Sequence, residues 1–462
     1  MSPVRLTRAV LILIAAALGV PSLVWSQSQS GSIIVRAAPS VAQQIATKYG
    51  LTAVAGFTPS DGNGNLHRFR VPEGQSAEAI VAAVAVEAGV TNVERDTPIQ
   101  LPAPVLLDQS TVSVLNQSTV SVLNQSTVSV LNALLDTSPV LYYGATVPNG
   151  YLQQPAMQLV NRAGAQLVAA GAGITIALID GGIDTQHPAL QGSLLPGFNF
   201  LNDSFDVSAF SGLDQSTVSV LNQSRVSVLN QSTVSVLNQS TVSVLNQSTV
   251  SVLNSLPPYF GHGTEHAGVL HLVAPQSRIL PLRAFRDDGT AELYNIVRAI
   301  YYAVDHGAKV ISMSFSGDCQ STELAAAIRY AAQRGVILTG SVGNDGSQAR
   351  LFPAAYSSVM GVGASNLDET PAGFSNYGSA VFVVAPGAGV ITTFPGANYA
   401  AVWGTSFSAP QVAGQAALLL SKGTPVSAVG QTIFATSTLG GSANRDKYLG
   451  FGRIDLLQAL LR

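Results

Sequence analysis

The spacing of apolar positions changes character along this chain. Between residues 32 and 100 short segments of period two alternate with segments of period 3.6. S-I-I-V-R opens as a strand, and the stretch after it reads as a helix ending at Gly50. L-T-A-V-A-G-F is a second strand, Asp61 to Asn65 a turn, and H-R-F-R-V-P a third strand. A-E-A-I-V-A-A-V-A-V-E-A-G is a second helix and V-T-N-V-E-R-D the last strand. The order β-α-β-β-α-β predicts a small α+β ferredoxin-like domain over 32–100. From about residue 154 the pattern becomes continuous apolar strands between longer helices. I-T-I-A-L-I, S-R-I-L-P-L-R-A-F, K-V-I-S-M-S-F, G-V-I-L-T-G-S-V and V-M-G-V-G-A read as strands buried on both faces. The helices between them close on glycine, at Gly307 and Gly335. This alternation predicts an α/β domain over 154–462, a parallel sheet with helices on both faces.

Two stretches break the pattern. The octapeptide Q-S-T-V-S-V-L-N occurs three times over 109–132 and five more times over 215–254, with Arg225 once in place of Thr. An even period keeps each side chain on one strand face, so the copies could pair as short strands. Their near-identity points to duplication of a short coding segment, and we expect a surface insertion without a catalytic role. The N-Q-S junctions match a glycosylation sequon, and the uncharged V-S-V-L runs favour β-aggregation when exposed. Residues 133–153, with Pro139, Pro148 and Gly150, read as an irregular linker.

Composition narrows the class. The 462 residues are 47% apolar and only 10% charged, with a net charge of −3, so no basic face for nucleic acid is expected. The single cysteine, Cys319, excludes an internal disulfide framework and reads as a loop thiol. Arg5 and Arg8 precede an apolar run from Ala9 to Val20, then Pro21 and V-W-S-Q. That order is a secretory signal over 1–26, cut near Ser26, and implies a secreted or periplasmic product with no membrane contact after cleavage.

The candidate chemistry lies in four strings. Gly404 to Pro410, G-T-S-F-S-A-P, runs into V-A-G-Q-A-A-L-L-L-S, which places Ser406 at a helix N-terminus beside free backbone N–H groups. A serine there needs a base and a group to orient that base. Asp180 ends the strand I-T-I-A-L-I-D, where active residues of parallel sheets gather. His262 lies in G-H-G-T-E-H-A-G, with glycines that permit close approach. His266 stands four residues on, a spacing that also suits a metal pair, but Glu265 is not placed as in H-E-x-x-H and no metal site is expected. Asn344, in S-V-G-N-D-G, could complete an oxyanion hole with the Ser406 N–H.

In the order Asp, His, Asn, Ser, these strings resemble the subtilisin-like serine peptidases. The resemblance runs from about residue 160 to the closing G-F-G-R-I-D-L-L-Q-A-L, and residues 32–100 resemble, more loosely, that family's inhibitory propeptide. It implies that Ser406 attacks a peptide carbonyl, His262 relays the proton, Asp180 orients His262 and Asn344 holds the oxyanion. It further implies that Ser314, Phe315, Ser316 and Gly317 line an extended substrate, with R-A-F-R-D-D-G-T-A near Gly289 as the opposite wall. The implied partners are polypeptide substrates and the chain's own propeptide, as inhibitor and folding aid. Three departures stand out. V-L-H-L-V-A-P leaves no room for the family's calcium loop after His262, so no cofactor is expected, with calcium open elsewhere. Glu265 and His266 occupy positions where the family commonly has His and Val, and a histidine there needs a polar partner. The five-copy array separates Asp180 from His262, which loop-closure cost tolerates at about 0.6 kcal/mol per doubling of length. The expected product is a secreted endopeptidase made as a zymogen. The alternative is a repeat-bearing surface or matrix protein with a degenerate or self-processing-only peptidase domain. An esterase is disfavoured, because Ser406 lacks G-x-S-x-G and the Asp comes first.

Overall fold

The computed structural model describes residues 31–103, 125–211, 213, 227–229, 256–318, 320–440 and 445–462. The signal over 1–26, Cys319 and most octapeptide copies lie outside the described residues.

Strands β1 (Ser32–Ala37), β2 (Thr52–Phe57), β3 (Asn65–Arg70) and β4 (Val90–Arg95) form a four-stranded sheet in the order β2-β3-β1-β4. Their pairings are antiparallel. Helices Pro39–Tyr49 and Ala77–Val84 cover one face, burying Ile33, Val35, Ile45, Phe69, Ile80 and Val84. The chain then runs through β5 (Pro98–Gln100) into a cleft of the larger domain.

Residues 133–153 are not an irregular linker. They form a hairpin, β6 (Pro139–Tyr142) and β7 (Ala145–Pro148), followed by the short helix Asn149–Leu152. The prolines sit at the ends of the pairing, where a missing N–H costs least. Tyr142 and Tyr151 are buried, and their hydroxyls donate to the carbonyls of Leu272 (2.9 Å) and Gly268 (2.6 Å) on the His262 helix. The segment is thus a brace for that helix.

The larger domain is built on a seven-stranded sheet ordered β16-β15-β14-β13-β8-β11-β9. Its members are β8 (Thr175–Asp180), β9 (Phe198–Asn199), β11 (Arg278–Arg283), β13 (Val310–Met313), β14 (Ile337–Ser341), β15 (Val359–Ser365) and β16 (Val383–Pro386), all parallel. Period-two alternation assigns β8 to two cores at once. Ile176 and Leu178 join the apolar cluster under the helices His262–Val273 and Thr405–Ser421. Ala177 and Ile179 join the opposite cluster, under Leu293–Asp305 and Thr322–Gln333.

A smaller sheet, β10-β18-β17, meets one described piece of each repeat array. In it, β17 (Ala388–Phe394) and β18 (Asn398–Trp403) form an antiparallel ribbon, and β10 (Ser227–Leu229), from the second array, adds to β18 in parallel. The last copy of the first array lies in the helix Gln125–Leu135, which seats Val130 and Leu134 on Ile391 and Ala401 of the same ribbon. Finally, β12 (Thr290–Glu292) pairs antiparallel with β5.

Candidate active site

Asp180 is the last residue of β8, at the carboxyl edge of the sheet, and is buried. The His262 helix begins immediately beside it. Gly263 makes that approach possible, since a Cβ there would lie 2.7 Å from the Gly182 carbonyl and 2.9 Å from that of Gly181. His262 Nδ1 lies 2.8 Å from Asp180 Oδ1, which also accepts the Gly181 N–H at 2.6 Å. His266, one turn along the same face, places Nδ1 2.5 Å from Oδ2 of the same carboxylate. An ionised carboxylate only accepts, so both imidazoles carry their proton on Nδ1. The polar partner required by a buried His266 is therefore Asp180.

Burial alone would raise the Asp180 pKa. Interaction with His262, then with His266, and the hydrogen bond from each outweigh it and hold the carboxyl well below its usual range. For His262 burial works downward, but Asp180 overcomes it and the net shift is upward. His266 is pushed down to about 4 by burial and then by His262, so it stays neutral. Glu265, buried on the same helix, is pushed up to about 7, mainly by burial. Among the described residues Asp180, His262 and His266 are the one trio whose ligand atoms lie close enough, within 4.8 Å of one another, for a metal ion. Both Nδ1 atoms are already spent on the carboxylate, and we read the trio as a hydrogen-bonded relay.

Ser406 is the second residue of the helix Thr405–Ser421 and is buried. Gly404 ahead of it has φ 146°, a conformation that favours glycine, and a Cβ there would come 3.1 Å from Asn344 Nδ2. Pro410 has no N–H to offer the carbonyl four residues back. That carbonyl belongs to Ser406, and the Ser314 hydroxyl fills the vacancy at 3.0 Å. Ser406 Oγ has no hydrogen-bond partner among the described residues, so its bond to His262 is not made here. Phe407 packs on both imidazoles, with ring centroids 6.1 Å from His262 and 5.1 Å from His266.

Asn344 is oriented by Thr405, whose N–H and hydroxyl both donate to Oδ1, at 2.9 and 2.8 Å. Its amide N–H is thereby turned into the cleft, where it donates to the Ala103 carbonyl at 3.0 Å. The tail of the small domain fills that cleft as an added strand. Gln100 exchanges hydrogen bonds with Ser316 in both directions, and the Leu101 N–H donates to the Gly289 carbonyl at 2.9 Å. Gly317 pairs instead with Phe352. The Phe315 side chain points into the core, against Phe285 at 5.2 Å, in the cluster that also buries Ile99 and Leu101.

Charged groups of the small domain dock beside the cleft. Glu94 accepts the N–H groups of Thr322 and Glu323 and the Ser321 hydroxyl, capping one helix; Asp96 accepts the Tyr294 N–H at the start of another. Arg36, buried, pairs with Glu323 at 2.6 Å and Asp61 at 3.2 Å. Neither these contacts nor the roles of Thr405 and His266 has a local signal in the chain, because every partner is distant in sequence.

The chain is also similar to known proteins. The chain is 32% identical over 299 residues to the thermophilic serine proteinase of Bacillus sp. strain AK1, covering 62% of this chain and 62% of that one. It therefore spans less than two thirds of that relative's length. It is 29% identical over 303 residues to thermitase of Thermoactinomyces vulgaris, covering 63% and 90%. In fold it is similar to fervidolysin from Fervidobacterium pennivorans, a keratinolytic enzyme related to subtilisin, with TM-score 0.64 and 21% identity over 95% of this chain and 62% of the other. The profile of the subtilase family matches residues 171–452, well over half of the sequence, and the chain belongs to that family.

Proposed function

We propose that this chain is a serine endopeptidase made as a self-inhibited precursor. Ser406 Oγ attacks the substrate carbonyl and passes its proton to His262 Nε2. Asp180 holds the other ring nitrogen and stabilises the imidazolium. The oxyanion is received by the Asn344 amide, a donor of a kind typically worth about 10²–10³ in rate. His262 then protonates the leaving amine, and water releases the acyl group by the same relay. An extended polypeptide is the fitting substrate, because backbone groups of Ser316 and Gly289 form its walls. The observation that carries the reading is the Asp180–His262 pair at 2.8 Å, beside an Asn344 amide already donating to the Ala103 carbonyl at 3.0 Å. The tail's occupancy of the cleft supports inhibition by residues 32–100, and the basic-then-apolar N-terminus supports export to the periplasm or beyond. The mechanism uses no metal; unchanged activity after chelation by EGTA supports this, and its loss identifies a calcium requirement.

The test is the full chain beside Ser406→Ala, assayed on casein and by mass spectrometry of the N-terminus. The expected result is a wild type that sheds its N-terminal domain and digests casein, and a variant that stays full length and inert. Normal maturation of the variant refutes self-processing, and residual caseinolysis refutes the role of Ser406.

A second reading, association through the repeats, is favoured by the pairing of Ser227–Leu229 with β18. Deleting 215–254 decides it: unchanged peptidase activity with lost self-association supports a separate adhesive role, and unchanged association removes it.

A further inference from the structure

We propose that His266 is a positioning residue of this active site: its Nδ1–H, on the Asp180 oxygen that His262 leaves free, fixes the carboxylate and draws off part of its charge. The inference rests on the relay proposed above and adds a fourth member to it. Three observations carry it. Oδ1 of Asp180 is taken by His262 and the Gly181 N–H, so Oδ2, buried, depends on His266 at 2.5 Å. The two imidazoles meet edge to face, with centroids 4.0 Å apart and planes at 70°, so neither ring turns without the other. His266 Nε2 is buried and has no partner among the described residues, so a second proton there would be left unpaired and the neutral, Nδ1–H form is the one the site accepts.

A carboxylate with one donor on each oxygen is less basic than one with a free oxygen. It therefore pulls less strongly on the His262 proton, and His262 becomes an available base at lower pH. The titratable groups facing His266 are Asp180 from β8 and His262 on its own helix, with Glu265 acting in turn on His262. The other packed elements present Phe407 from the Ser406 helix, and Thr392 and Thr393 of β17, whose hydroxyls donate to the carbonyls of Glu265 and Thr264. A purely space-filling His266 would need no hydrogen bond to Asp180.

The test compares matured wild type with His266→Val and His266→Asn, and with Ser406→Ala as the inactive reference. In His266→Val the acid limb of kcat/KM is expected to move up by about one pH unit, a loss of about tenfold on the acid side with little change on the alkaline side. His266→Asn, whose amide donates to the same oxygen, is expected to restore the limb. Proton NMR of wild type should show two low-field imidazole N–H signals, one of which disappears in either variant. A folded His266→Val with the wild-type limb overturns the inference, as does a single low-field signal in wild type, which needs no variant to fold. Activity surviving in Ser406→Ala would instead refute the relay itself, so the two failures are distinguishable.

Discussion

Two of the buried charge clusters among the described residues do opposite things. At the domain interface Arg36 meets Glu323 and Asp61, with Asn92 on Glu323 and Tyr301 on Asp61. At the sheet edge Asp180 meets His262 and His266. Both bury carboxylates that isolated burial would neutralise. The interface answers with a guanidinium, which stays charged at every accessible pH and is planar enough to engage Glu323 through two nitrogens. The sheet edge answers with imidazoles, of which His262 can exchange a proton near neutrality. The first arrangement stores no transferable proton and therefore only holds. The second keeps its protons in play and can therefore react.

Four experiments press on that contrast. The largest effect is expected at the sheet edge: Asp180→Asn should lower kcat by about 10⁴, because the wrong tautomer of His262 is then favoured, while docking of the small domain is untouched. A variant losing docking as well as rate would show that the clusters are not separate. Next comes the interface. Arg36→Ala leaves Glu323 buried without its cation, a loss of about 3–5 kcal/mol. It should appear as a lower melting temperature of the precursor and weaker inhibition by the added 31–103 domain, with kcat of the matured enzyme unchanged. Glu265→Gln is a smaller probe. The folded-state pKa of Glu265, about 7, stands above its ordinary 4.5, so its carboxyl favours the fold at low pH and that contribution is lost as pH rises toward and through 7. The glutamine variant should therefore match wild type in denaturant melts at pH 4 and exceed it at pH 8, by on the order of 3 kcal/mol. The smallest effect is the position of the acid limb itself. Because Asp180 raises His262 above its ordinary 6.5, kcat/KM should fall as pH drops through a value above 6.5. A limb below 6.5 would mean that burial, not the carboxylate, dominates His262.

Much of the larger domain was legible because its signals are local. Ile176 to Ile179 form an unbroken apolar run, and Asp180 follows where the strand must end. Gly404, Ser406 and Pro410 lie within one turn or two of each other, so the helix start could be read directly. The β16, β17 and β18 strands carry no such signal, since V-F-V-V-A-P is short and the ribbon is broken by glycine and proline. The expectation of a linker over 133–153 failed because prolines at both ends of a hairpin look the same in one dimension as prolines in a loop. Only the tertiary partners, Leu272 and Gly268, distinguish them. His266 was visible as an anomaly but not as a contact, because its partner lies 86 residues away, across an insertion.

The β17–β18 ribbon carries a consequence for how this gene can change. One octapeptide winds into a helix on its face, while a near-identical one stretches along its edge. Since the scaffold rather than the motif dictates the shape, loss or gain of a unit by replication slippage leaves an equivalent unit to occupy either berth. An array longer or shorter by one unit is thus expected to keep both contacts with the ribbon, and melting curves of such length variants check it.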